Sequence, residues 1–219
     1  MAIFRVGVDC PMGGRPEIEG DAQSAFDAAA EGVAGLKERC DRIDAATDDG
    51  ANAMGKERAK MKERLAKQER FDRGKALLAR HETSLGVFDA ELRRDAGLTA
   101  PPSESAASIR HGEIRAAYKA MSASERNAVI HHGDKESLLS LAHSPGVLNL
   151  ITDQERSVIE GRVLEATDGK RYAALQARRT AHGQASYAVT TAERWADSVS
   201  GVPAQALRER IAELHKNRK

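Results

Sequence analysis

Aromatic side chains are scarce: four Phe, three Tyr and one Trp make up 4% of the 219 residues. A core this poor in rings must close by other means, and it leaves little surface on which a sugar could stack. Proline (six) and cysteine (two) are sparse as well. Few prolines leave room for long uninterrupted helices. Cys10 and Cys40 sit in no CxxC or Cys/His spacing, so they read as free thiols of a reducing compartment rather than a disulfide or zinc pair. No apolar run approaches the ~20 residues that span a bilayer. The start, Met1-Ala2-Ile3-Phe4-Arg5, lacks the basic segment and apolar stretch of a secretory signal. The net charge of +1 gives no global attraction to nucleic acid or an anionic membrane. Neither GxSxG nor GxxxxGK[ST] occurs, and carboxylates are so widespread that nothing singles out a catalytic pair. These absences point to a non-enzymatic chain without cofactor.

What is present is alanine and charge. Hydrophobic residues reach 41%, carried largely by alanine, and charged residues 31%. Such composition favours helix and argues against a β-sandwich or barrel. Alanine buries little area, so burial must come from close approach of helices, with neighbouring subunits covering what one chain leaves open. The fold class expected is all-α: a long antiparallel helical hairpin, then a bundle of shorter helices, with an extended N-terminal arm. The corresponding divisions are an arm at 1–20, the hairpin at 21–96, a Pro-containing linker at 97–105 and the bundle at 106–219.

Charge asymmetry organises the first half. Residues 17–49 hold ten acidic and three basic residues, a net −7; residues 52–80 hold ten basic and four acidic ones, a net +6. Two helices of opposite charge joined by a short polar turn at Asp48-Asp49-Gly50 should fold back on each other. Before them, Phe4, Val6 and Val8 alternate with polar residues in strand period. They have no partner strand in the chain, so they read as an arm laid on its own helices or on a neighbouring subunit.

Helix one is expected over 21–46, with Phe26, Ala29, Val33, Leu36, Cys40 and Ile43 spaced alternately by three and four. Gly32 and Gly35 flank that seam; each lowers helix propensity by about 1 kcal/mol, tolerated or used for close contact. Helix two should begin after Gly50 and reach Asp95, about 60 Å if unbroken. Its first part has Met54, Met61 and Leu65 as its main apolar residues, and its second a seam of Phe71, Gly74, Leu78, His81, Leu85, Phe88 and Leu92. His81 reads as a satisfied polar residue at an interface rather than a ligand. The helix-packing or oligomer interface is therefore expected to use Phe26, Val33, Leu36, Ile43, Met61, Leu65, Phe71, Leu78, Leu85, Phe88 and Leu92. The basic run Lys56, Arg58, Lys60, Lys62, Arg64 and Lys67 is the candidate for nucleic-acid contact. It lacks interleaved aromatics and has an acidic neighbour, which favours a solvated or intrachain-paired face.

After the linker, Ser122–Glu125 and Thr152–Glu155 have the spacing of capping boxes, each opening a helix. Asp168-Gly169 turns the chain into a long helix carrying Tyr172, Leu175, Val189, Trp195 and Val199, and Gly201-Val202-Pro203 precedes a last helix at 204–216. The one metal-like cluster is His131-His132-Gly133-Asp134 with Glu136 and His143. Adjacent histidines diverge by about 100° on a helix, and zinc ligands usually recur at three or four residues. A helix C-terminus with Gly133 at its cap fits better, and no metal is expected.

The stretch from Ile109-Arg110 and Ile114-Arg115, through Met121-Ser122-Ala123-Ser124-Glu125-Arg126 and Gly133-Asp134, to Ser144-Pro145 and Leu150-Ile151-Thr152, resembles helical proteins encoded by tailed bacteriophages and prophages. The similarity covers about residues 105–165 and carries over no catalytic or binding residue. It implies a phage setting and a structural gene. With the seamed hairpin, the strand-like arm and the empty catalytic search, the leading expectation is a structural subunit of the particle, found in the virion or host cytoplasm, whose partners are copies of itself and other subunits. A nucleic-acid-associated protein using the basic run, and a scaffolding or assembly helper, are the competing readings.

Overall fold

The computed structural model describes residues 20–46, 53–101, 103–201, 209 and 213. Among them there is no strand. The helices are α1 (Asp21–Val33), α2 (Leu36–Ala45), α3 (Ala53–Asp95), α4 (Ser105–Ala120), α5 (Ala123–His132), α6 (Lys135–Ala142) and α7 (Asp153–Ser200), with one 3₁₀ turn at Gly146–Leu148. The arm residues Phe4, Val6 and Val8, the Asp48-Asp49-Gly50 turn and most of the proposed last helix lie outside the described residues.

The single helix expected over 21–46 is two. Gly35 takes φ +65°, a left-handed conformation that a Cβ makes costly, and the chain turns there between α1 and α2. Gly32 has a different use. A Cβ at that position would lie 2.6 Å from the Phe71 ring, so only glycine lets the ring seat against the α1 backbone.

α3 starts and stops close to where the sequence places it. Its end is a hydrogen-bonded cap rather than the work of the prolines: Leu98 N–H donates to Arg93 O at 2.9 Å and Gly97 N–H to Arg94 O at 3.0 Å. Gly97, at φ +79°, supplies the left-handed residue this motif requires. Both capping boxes form. Glu125 N–H donates to Ser122 Oγ while the Glu125 carboxylate accepts from Ser122 N–H, and Thr152 and Glu155 repeat the arrangement. Asp168 does not end a helix but kinks one. Its backbone leaves helical geometry (φ −151°, ψ 86°), and its Oδ1 accepts from Arg171 N–H at 3.0 Å, restarting α7 beyond the bend.

Two compact units emerge. The first comprises residues 1–83 and 178–219, the second residues 84–177. The core of the first joins Ala22, Ala25, Ala29, Val33, Leu36 and Cys40 to Phe71, Leu77 and Leu78 and to Ala185, Val189, Ala192 and Ala196, with Trp195 and Val199 packed against it. Here helices approach through alanine and glycine, and Phe71 is the one large ring enclosed. The core of the second gathers Leu92, Ala96, Tyr118, Ile130, Leu138, Leu141, Ile159, Val163, Leu164 and Leu175. The Pro-containing stretch 97–105 belongs to this unit, and Leu98 within it packs on the core.

Candidate functional site

The charged faces of the first unit meet in order. Asp21 pairs with Arg80 at 3.4 Å, Glu31 with Arg70 at 3.4 Å, Arg39 with Glu63 at 2.8 Å and Asp44 with Lys60 at 2.6 Å. Residue numbers fall along α3 as they rise along α1 and α2. Most of these partners remain substantially exposed, so each pair is worth about 0–1 kcal/mol. Together they fix register, while the apolar contacts beneath supply the larger share of stability.

The basic run is spent largely inside this arrangement. Lys56 Nζ donates to Asp44 O at 2.9 Å and Lys67 Nζ to Glu31 O at 3.2 Å. Partial burial, with Arg39 and Arg70 nearby, holds the Lys67 ammonium below its usual range. Lys60 is paired to Asp44. Arg58 and Lys62 are exposed, one turn apart.

Arg64, expected on the same outward face, is fully buried. Its Nε donates to Asp197 at 2.8 Å, its Nη1 donates to Gln68 at 2.9 Å, and the guanidinium lies 4.9 Å from the Phe71 ring centroid. The second half of α7 makes this possible. Asp197 and Glu193, four residues apart, face α3, and Glu193 also takes Lys75 at 2.7 Å. These two carboxylates are the main residues that the sequence reading missed. Their spacing opposite a basic run, beside the small-residue row Ala181, Ala185, Val189, Ala192 and Ala196, is the signal that could have found them.

The apolar candidates divide in position. Val33, Leu36, Phe71 and Leu78 lie in the first core and Leu92 in the second, against which Leu85 and Phe88 pack. Phe26, Ile43, Met61 and Leu65 are half-buried, and Met54 is exposed.

Histidines are paired across helices. His81 on α3 meets His182 on α7 with Nδ1 atoms 3.2 Å apart. In the second unit His111 and His143 have ring centroids 6.1 Å apart. Burial, followed by the neighbouring charges of Arg115 for His111 and His111 for His143, pushes both below the ordinary histidine value. His131 and His132 are exposed at the C-terminus of α5, where the helix dipole favours positive charge. Asp134 is committed elsewhere: its carboxylate accepts from Ser137 N–H at 2.9 Å and Ser137 Oγ at 3.0 Å, capping α6. Among the described residues no group of three or more His, Cys, Asp or Glu is placed to hold a metal ion. No described helix is long and apolar enough to cross a membrane.

Comparison of the chain with protein-family profiles, with curated proteins and with solved structures returns no match.

Proposed function

We propose that this chain is a non-enzymatic structural subunit of a bacteriophage particle, working through helix–helix and arm-mediated contacts with copies of itself and with other subunits. The observation that carries the reading is the ladder of ion pairs between α1/α2 and α3 over an alanine-rich core that encloses Phe71. Such a helical hairpin, fixed in register by charge and closed by small side chains, is a stiff presenting element rather than a catalytic scaffold. The bacteriophage setting rests on the resemblance over residues 105–165. Large apolar side chains stand out on helices of both units, Tyr187 at 72% exposure, Ile109 at 64% and Val87 at 57%, and supply contact points for neighbouring subunits. The nucleic-acid reading is weakened by the intrachain commitment of Lys56, Lys60, Arg64 and Lys67.

Sedimentation of the purified protein, together with mass spectrometry of particles, tests the proposal. Self-association and presence in mature particles are expected. A compact monomer absent from particles at every stage would sink it, and presence in precursor particles alone would replace it with the scaffolding reading.

A further inference from the structure

His81 and His182 form an unusual contact. Their ring planes are within 15° of parallel, yet the centroids are 5.4 Å apart while the Nδ1 atoms are only 3.2 Å apart. Rings lying face to face at that nitrogen separation would bring their centroids closer. The two nitrogens therefore lie between the centroids, and the imidazoles meet edge to edge.

Proton counting then sets three states. With both rings neutral, one Nδ1–H donates to the lone pair on the other Nδ1, which requires two different tautomers. With one proton added, the imidazolium Nδ1–H still has a neutral acceptor. With two, each Nδ1 carries a hydrogen, no acceptor remains, and two cations face each other at 3.2 Å. We propose that the His81–His182 pair is a proton-operated latch between α3 and α7 of the first unit, closed with one or no added proton and released when both rings are charged.

The charged groups around the pair set its working range. Burial is the largest influence holding His81 below the ordinary value of 6.5; His182 and Arg178, both on α7, act in the same direction, and Asp21 on α1 opposes them. Arg80, next to His81 on α3, is paired with Asp21 and draws on the same carboxylate. A histidine depressed in the folded state binds its proton more readily when unfolded. The contribution of His81 to stability is thus complete above 6.5 and is lost as pH falls through its lower folded value. The latch goes beyond the proposed structural role and does not depend on it.

Imidazole ¹⁵N NMR of the intact protein, with hydrogen exchange followed from pH 7 to pH 5, tests it. At neutral pH one of the two rings is expected as the Nδ1–H tautomer and the other as Nε2–H. On acidification, amides of α7 near His182 should exchange about tenfold faster than the change in intrinsic rate explains. In His182→Gln the side-chain amide can donate to a neutral His81 or accept from a charged one, so this acceleration should disappear. Two Nε2–H rings that titrate independently of each other, or an undiminished response in His182→Gln, would overturn the latch. Should that variant fail to fold, the tautomers of the unmodified protein decide alone. The exchange readout is confined to the part of α7 around His182, in the first unit, which separates it from any response of His111 and His143 in the second unit.

Discussion

Arg64 is fully buried with its charge met by Gln68, one turn along its own helix, and by Asp197 on α7, more than a hundred residues away, with the Phe71 face beside it. Removing one partner of such a pair is costlier than replacing the cation, because a lone buried charge has no water to turn to. Asp197 keeps 24% of its side-chain surface in solvent, which moderates the penalty. Asp197→Ala is therefore expected to destabilise by about 3 kcal/mol, and Arg64→Met by about half as much, in equilibrium urea unfolding of the whole protein. An equal or reversed order would show that the cation itself, rather than its pairing, is the stabilising element. In the sequence Arg64 looks like one more member of a solvated basic run. Its neighbours Glu63 and Leu65 do not separate it from Lys60 or Lys67, and only the position of α7 decides which way it faces.

Helix boundaries depend on local chemistry, and this is why most of them were legible. The Ser122 and Thr152 boxes, the Gly97 stop and the end of α7 at Ser200 each involve residues within five positions of one another. The break at Gly35 and the kink at Asp168 were less legible, since glycine inside a helical pattern is compatible with tolerance, close contact or a turn. Gly32 and Gly35 turned out to serve two of these purposes three residues apart. The docking of α7 on α3 was hidden for another reason: a face built from Ala181, Ala185, Ala192 and Ala196 contrasts little with an alanine-rich background. The caps offer a direct check. Ser122→Ala should cost about 1 kcal/mol by thermal or urea unfolding. Asp134 is held below its ordinary value of 3.8 chiefly by the Ser137 N–H. Its contribution is complete above 3.8 and fades as pH falls through the depressed folded value, so Asp134→Asn should lessen the loss of stability on acidification in that range.

At the scale of the whole molecule the two units differ in how the chain builds them. Residues 84–177 are continuous, and every member of their core, from Leu92 to Leu175, lies within that span. The first unit is discontinuous: Phe71, Leu77 and Leu78 share its core with Ala185, Val189, Ala192 and Ala196, which arrive more than a hundred residues later. A contiguous segment with its own core can fold when excised, whereas a half-core lacking its covering helix exposes apolar surface. The fragment 84–177 should be helical by circular dichroism and melt in a single cooperative transition. The fragment 1–83 should lack such a transition and bind a hydrophobic dye, because the α7 face that shares the core with Phe71, Leu77 and Leu78 is missing. Adding a peptide of residues 178–219 should restore helicity and suppress dye binding in 1–83, with Arg64 and Asp197 re-forming their pair. A fragment 1–83 that melts cooperatively by itself would mean that α1, α2 and α3 close their own core, and that the alanine face of α7 is an accessory rather than a structural wall.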